Sequence, residues 1–184
     1  PDTYRLPSRG TPADLIQRML DNFGRRVTAD VEQAAAQKGR TLGQVINMAS
    51  IVEREARRAD ERPVIASVYW NRLSGVCSKE TGGSYLQADP TVQYAVGFNT
   101  AQNTWWTNPL SLQDLAFDSR YNTYVYPGLP PGPIANPSLE ALRAVASPET
   151  SPYYYFRARC DGSGLHVFAI TFEEHVRNAC PAQP

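Results

Sequence analysis

Leu15, Ile16, Met19, Leu20 and Phe23 recur every three or four residues, the spacing of one helix face. The pattern predicts a helix that opens at Thr11, which can cap it, with Pro12 tolerated in the first turn. Thr28 is placed to cap a second, short helix that stops near Gly39. Thr41, with Gln44 three residues on, makes a capping box for a third helix through about Arg58. A fourth is expected from Asp60, with Pro63 in its first turn and Val64, Ile65, Val68, Tyr69 and Leu73 as its apolar positions. Residues 74–85, with Gly75, Gly82 and Gly83, read as a loop. Asp89 followed by Pro90 predicts a short helix ending before Gly97, with Asp89 as its cap. Residues 98–136 show no sustained period apart from a helical turn at 111–116, and a further helix is expected from Pro137 to about Ala146, capped by Asn136.

The period changes near the end. Residues 153–158 and 165–170 are rich in aromatic and branched side chains and flank Asp161-Gly162-Ser163-Gly164, a hairpin signal. Thr171-Phe172-Glu173-Glu174 is a capping box for a final helix. The pattern predicts an α+β fold, a mainly helical body with a small antiparallel sheet near the C-terminus. No linker-like stretch divides residues 1–184, which read as a single domain.

Composition narrows the partners. Lys+Arg is 18 and Asp+Glu is 18 among 184 residues, so the formal charge is zero and no basic footprint for nucleic acid or an anionic membrane is visible. No apolar run approaches the roughly 20 residues that cross a bilayer. Opening on Pro1 and not Met, the chain reads as an excised or processed fragment, with any anchor expected upstream. His166 and His175 are the two histidines, and no CxxC, HExxH or histidine cluster points to a metal. Three cysteines permit one disulfide and one free thiol, compatible with an extracytoplasmic setting. The chain is rich in proline (15) and tyrosine (10), with seven prolines between Pro127 and Pro152.

The chemistry-bearing segment is Ala49-Ser50-Ile51-Val52-Glu53-Arg54-Glu55-Ala56. Leu42, Val45, Ile46, Ala49 and Val52 form an apolar stripe with Glu53 on its edge, while Met48, Ile51 and Val52 lie one or two turns before Glu55 on its own side. The two glutamates project about 160–200° apart and cannot form a carboxylate pair. A glutamate among Met, Ile and Val side chains loses hydration, which raises its pKa and suits it to general acid work on a glycosidic bond. The competing reading is an ion pair with Arg54, Arg57, Arg58 or Arg62, all close in sequence. Spacing alone leaves both open.

The runs ASIVEREARRADERPVIASVYWNRL, LQADPTVQYA, YNTY, GLPPGPIANPSLEAL and YYYF, together with the opening PDTYRL, resemble in collinear order the YceG-like (MltG) endolytic murein transglycosylases. The resemblance implies a lysozyme-like catalytic domain that cuts within peptidoglycan glycan strands and leaves 1,6-anhydro-N-acetylmuramic acid (anhydro-MurNAc) ends. It implies no cofactor and no metal, a membrane helix and a LysM-like subdomain preceding the domain, and work at the extracytoplasmic face of a bacterial membrane as a monomer, with peptidoglycan synthases as partners. The family's catalytic acid carries onto Glu55, and Glu53 takes a supporting place.

The order of Glu, then Gln87, then Tyr121-Asn122 also resembles that of soluble lytic transglycosylases with a lysozyme-like fold, and this resemblance makes Gln87, Tyr121 and Asn122 contacts for the sugar. Asp89 reads as the helix cap, and as the second carboxylate if the reaction uses water. That hydrolytic muramidase, and a non-catalytic peptidoglycan-binding module, are the rival readings. The proline-rich 128–133 segment is expected as a rigid loop beside the cleft. Trp105 and Trp106 could stack on sugars or pack inside, and are left outside the core site. The 74–85 loop, with Cys77, is longer than the resemblance suggests and could reshape one end of the groove. Cys160 and Cys180 flank the terminal hairpin and helix and are the expected disulfide pair. His166 is expected as a structural or substrate-side polar group, not a base.

Overall fold

The structure, a computed structural model, describes residues 2–75 and 83–181. Its centre is the helix Leu42–Glu55 (α3), preceded by Pro12–Arg26 (α1) and Ala29–Gln37 (α2) and followed by Arg62–Leu73 (α4). The chain continues through Asp89–Val96 (α5), Leu112–Leu115 (α6), Leu139–Ala146 (α7), the strands Tyr155–Ala158 (β1) and His166–Ala169 (β2), and Phe172–Arg177 (α8). The α+β expectation is met. Cys77 and most of the 74–85 loop lie outside the described residues.

The reciprocal Thr41–Gln44 capping box opens α3, and the Thr171–Glu174 box opens α8. Val45, Met48, Ala49, Ile51 and Val52 are wholly enclosed, so α3 is buried around most of its circumference by α2, α4, α5 and α7. Each large side chain buried there stabilises the fold by about 1.5–3 kcal/mol relative to exposure. α1 forms as its period predicts, yet none of its residues is buried. Ile16, Met19 and Leu20 remain largely in solvent.

Several helix boundaries differ from expectation, those of α3, α4 and α7 among them. α3 ends at Glu55, not Arg58. Ala56 is extended (φ −79°, ψ 103°) while its N–H still reaches Val52. Continued helically, the chain would bring Arg58 onto the enclosed face of Ile51, seven residues earlier, so an exposed arginine ends the helix. Asp60 does not cap α4. It lies in a 3₁₀ turn, Ala59–Glu61, paired with Arg58. Glu61 takes the cap position without capping, because its carboxylate is held by the His166 N–H and Nδ1, each at 2.8 Å. Ser138, not Asn136, caps α7, accepting from Ala141 N–H at 3.2 Å.

β1 and β2 form a two-stranded antiparallel sheet, Tyr155 opposite Ala169 and Ala158 opposite His166. Both strands are shorter than their sequence pattern. Phe156 meets Tyr69 of α4 edge to face, with ring centroids 5.7 Å apart. The Cys160–Cys180 disulfide ties the hairpin to the chain leaving α8. The hairpin thereby stands opposite the end of α3, and a cleft opens between them.

Candidate active site

Glu55 is the last residue of α3 and lies on the side of the helix that carries Met48, Ile51 and Val52. Because the chain turns away immediately afterwards, its carboxyl emerges into the cleft without leaving the apolar body. The cleft has a volume of about 690 Å³ and is walled by α4, α5 and the hairpin. Burial pushes the Glu55 pKa up to about 7. A hydrogen bond from Tyr69 opposes the rise, and the charge of Asp89 adds to it. The Tyr69 hydroxyl donates to Glu55 Oε1 at 2.6 Å. Burial, and then the carboxylate beside it, raise the Tyr69 pKa well above the ordinary value, so it remains a neutral donor.

Arg72 lies one turn beyond Tyr69 on the same helix, and it is almost wholly enclosed. Its guanidinium donates to the carbonyls of Tyr85 (2.8 Å) and Tyr154 (3.1 Å) and to Gln87 Oε1 (2.5 Å). Arginine has no acceptor, so this contact assigns the oxygen of the Gln87 amide to Arg72 and leaves its NH₂ as the group offered to the cleft. Gln87 adopts a left-handed backbone (φ 51°), held by its own N–H on the Thr123 carbonyl at 3.1 Å. Thr123 Oγ1 accepts from Ala88 N–H at 3.0 Å and bonds Thr91 Oγ1 at 2.8 Å. Segment 121–124 therefore serves chiefly as the clamp on segment 86–91.

Asp89 also faces the cleft, but not as a cap. It is the first residue of α5, Ala88 precedes it without a side-chain cap, and its carboxylate accepts from the Tyr124 hydroxyl at 2.7 Å. Tyr121 and Asn122, expected as sugar contacts, do not line the cleft. Asn122 is fully enclosed. Its NH₂ donates to the carbonyls of Leu115 and Phe117, and its oxygen accepts from Tyr124 N–H. Tyr121 packs against Tyr94 with its ring tilted, centroids 4.8 Å apart. Tyr124 is the member of that segment that lines the cleft.

Glu53 points elsewhere, as its spacing from Glu55 requires. It accepts from the Ser138 N–H (3.1 Å) and hydroxyl (2.6 Å) and pairs with Arg62 at 3.4 Å, joining α3 to the start of α7. The proline-rich loop is tied to α3 through Asn47 Nδ2 on the Pro130 carbonyl (2.6 Å) and Ile134 N–H on Ser50 Oγ (3.0 Å). None of residues 128–133 lines the cleft itself. His166 lines the cleft wall while bound to Glu61. Among the described residues no group of three His, Cys, Asp or Glu side chains comes together to hold a metal.

Sequence reasoning missed Tyr69, Arg72 and Tyr124 as site residues. Val68, Tyr69 and Arg72 share one face of α4, and an arginine on an otherwise apolar face was the available signal.

A family model described as the YceG-like family matches residues 1–180. An endolytic murein transglycosylase of Bacillus subtilis is 34% identical over 176 residues, covering 95% of this chain and 44% of that protein. One of Streptococcus pneumoniae is 30% identical over 178 residues, covering 97% and 30% respectively. The chain thus spans less than half the length of these relatives. The crystal structure of a YceG-like protein from Listeria monocytogenes superposes with a TM-score of 0.77 at 32% identity, covering 96% of this chain and 53% of that one.

Proposed function

The chain belongs to the YceG-like family, and from that premise we propose that it is the catalytic part of an endolytic peptidoglycan lytic transglycosylase. The observation that carries the reading is the carboxyl of Glu55, set in a cleft with its pKa raised to about 7. Protonated Glu55 gives its proton to the oxygen between N-acetylmuramic acid (MurNAc) and N-acetylglucosamine (GlcNAc) as the β-1,4 bond breaks. As carboxylate, it then takes the proton of the MurNAc C6 hydroxyl, whose oxygen closes on C1 to form the 1,6-anhydro ring. One proton leaves Glu55 and one returns, and no water is consumed. A pKa near neutrality serves both halves.

The Gln87 NH₂ is placed to donate to a sugar hydroxyl or acetamido oxygen. The accessible carboxylate of Asp89 favours the positive charge that develops on the ring. An extracytoplasmic setting belongs to the proposal, supported by the Cys160–Cys180 disulfide, because such bridges persist in oxidising compartments. A membrane tether upstream of residue 1 and association with peptidoglycan synthases complete it.

Asp89 keeps a hydrolytic reading in play, since a two-carboxylate glycosidase places its groups about 5–9.5 Å apart across the bond. Digestion of uncross-linked glycan strands, with product ends read by mass spectrometry, decides. Anhydro ends, one water lighter than reducing ends, that persist in Asp89→Asn and vanish in Glu55→Gln support the lytic reading. Reducing ends that vanish in both variants make the enzyme a muramidase. Strands that bind and stay intact make it a binding module.

A further inference from the structure

Segment 97–110 holds large aromatic side chains in the open, on a loop that is firmly tied down. Asn99 and Thr104 pair through two backbone hydrogen bonds of 2.7 and 3.2 Å. Gln102 N–H donates to Asn99 Oδ1, Asn108 N–H to Gln102 Oε1, and Gln93 Nε2 to the Thr107 carbonyl at 2.8 Å. The Arg54 guanidinium lies 3.5 Å from the ring centre of Trp106 and clamps the loop to α3. Trp105, by contrast, is 62% exposed. It rests on Phe98, itself 43% exposed, with ring centroids 5.4 Å apart.

One exposed apolar residue needs no explanation, but two aromatics in contact on a rigid loop make a contiguous surface that folding does not require. The loop that carries that surface borders the cleft. Arg54, Gln93 and Asn108 line the cleft, and the same three residues anchor the loop. An enzyme that cuts within a polymer has strand on both sides of the bond, so sugar rings must run out over the cleft's rim. A pyranose in β-1,4 linkage presents an apolar C–H face and keeps its hydroxyls at the ring edge. An exposed indole matches that shape while the hydroxyls remain in water.

Resting on the function proposed above, we propose that Phe98 and Trp105 form a carbohydrate-stacking platform that holds sugar rings of the glycan strand beyond the cleft. The platform adds contacts only for strands long enough to reach it, so it sets a preference for long strands over short ones.

The test measures binding of purified uncross-linked glycan strands, long and short, to the Glu55→Gln protein, then adds substitutions at Trp105. Trp105→Ala and Trp105→Leu should each weaken long-strand binding roughly threefold to tenfold, with a smaller change for a tetrasaccharide, and Trp105→Phe should restore most of it. Equal loss for long strands and the tetrasaccharide, or unchanged long-strand affinity, overturns the platform. The cleavage assay stands apart from this measurement. If wild type leaves strands intact while Trp105→Ala still loses long-strand affinity, the proposed chemistry falls and the platform stands. If wild type cleaves and Trp105→Ala binds as its parent does, the reverse holds.

Discussion

The hydroxyl of Tyr69 donates to Oε1 of Glu55 at 2.6 Å, from a ring enclosed between α3 and the hairpin. This bond opposes the burial that raises the Glu55 pKa, and so keeps the group able to lose its proton near neutrality. Tyr69→Phe removes the donor and keeps the ring. The alkaline limb of the activity profile should move to higher pH, and turnover at pH 7 should fall roughly tenfold, the loss expected for a hydrogen bond to a charged group. A pH–rate series on glycan strands checks both; an unmoved limb would show that Tyr69 does not set the titration of Glu55.

Glu55→Gln should abolish cleavage, and it should also change stability in a pH-dependent way. The native pKa of about 7 lies above the ordinary 4.5, so folding favours the protonated form. The carboxyl's contribution is fully present below pH 4.5 and is lost as pH rises through 7, with a difference of up to about 3 kcal/mol. The glutamine variant carries no such loss. Thermal melts should therefore find it more stable than wild type at pH 8 and close to wild type at pH 4.

Gln87→Glu separates binding from support. The Arg72 contact becomes an ion pair inside a well-bonded site, so the melting temperature should hold or rise. The NH₂ donors offered to the sugar disappear, and KM should rise roughly tenfold. A wild-type KM in this variant would remove Gln87 from the substrate contacts.

Glu53→Ala tests the opposite assignment. Its carboxylate ties α3 to Ser138 and Arg62, and losing these bonds should lower stability by about 1–3 kcal/mol in denaturant titrations. The anhydro product should still form. A variant that folds fully yet yields none would give Glu53 a part in the chemistry.

Local chemistry was readable without the structure. The Thr41–Gln44 and Thr171–Glu174 boxes, the Gly-rich hairpin turn and the opposed directions of Glu53 and Glu55 each depend on residues within a turn or two of one another, where spacing dictates geometry. Met, Ile and Val beside Glu55 foretold its desolvation for the same reason. The tertiary structure alone decided which polar groups are free to act. Glu61 fails to cap α4 because His166, 105 positions away, holds it. Asn122 is closed off because three backbone groups take up its amide. Gln87 offers its NH₂ because Arg72 holds its oxygen. A side chain's hydrogen-bonding capacity is small, and in a folded protein its use is settled by partners brought close in space. The zero net charge and the scarce histidine and cysteine set out the available chemistry, and the packing of α3, α4 and the hairpin places Glu55 in the cleft.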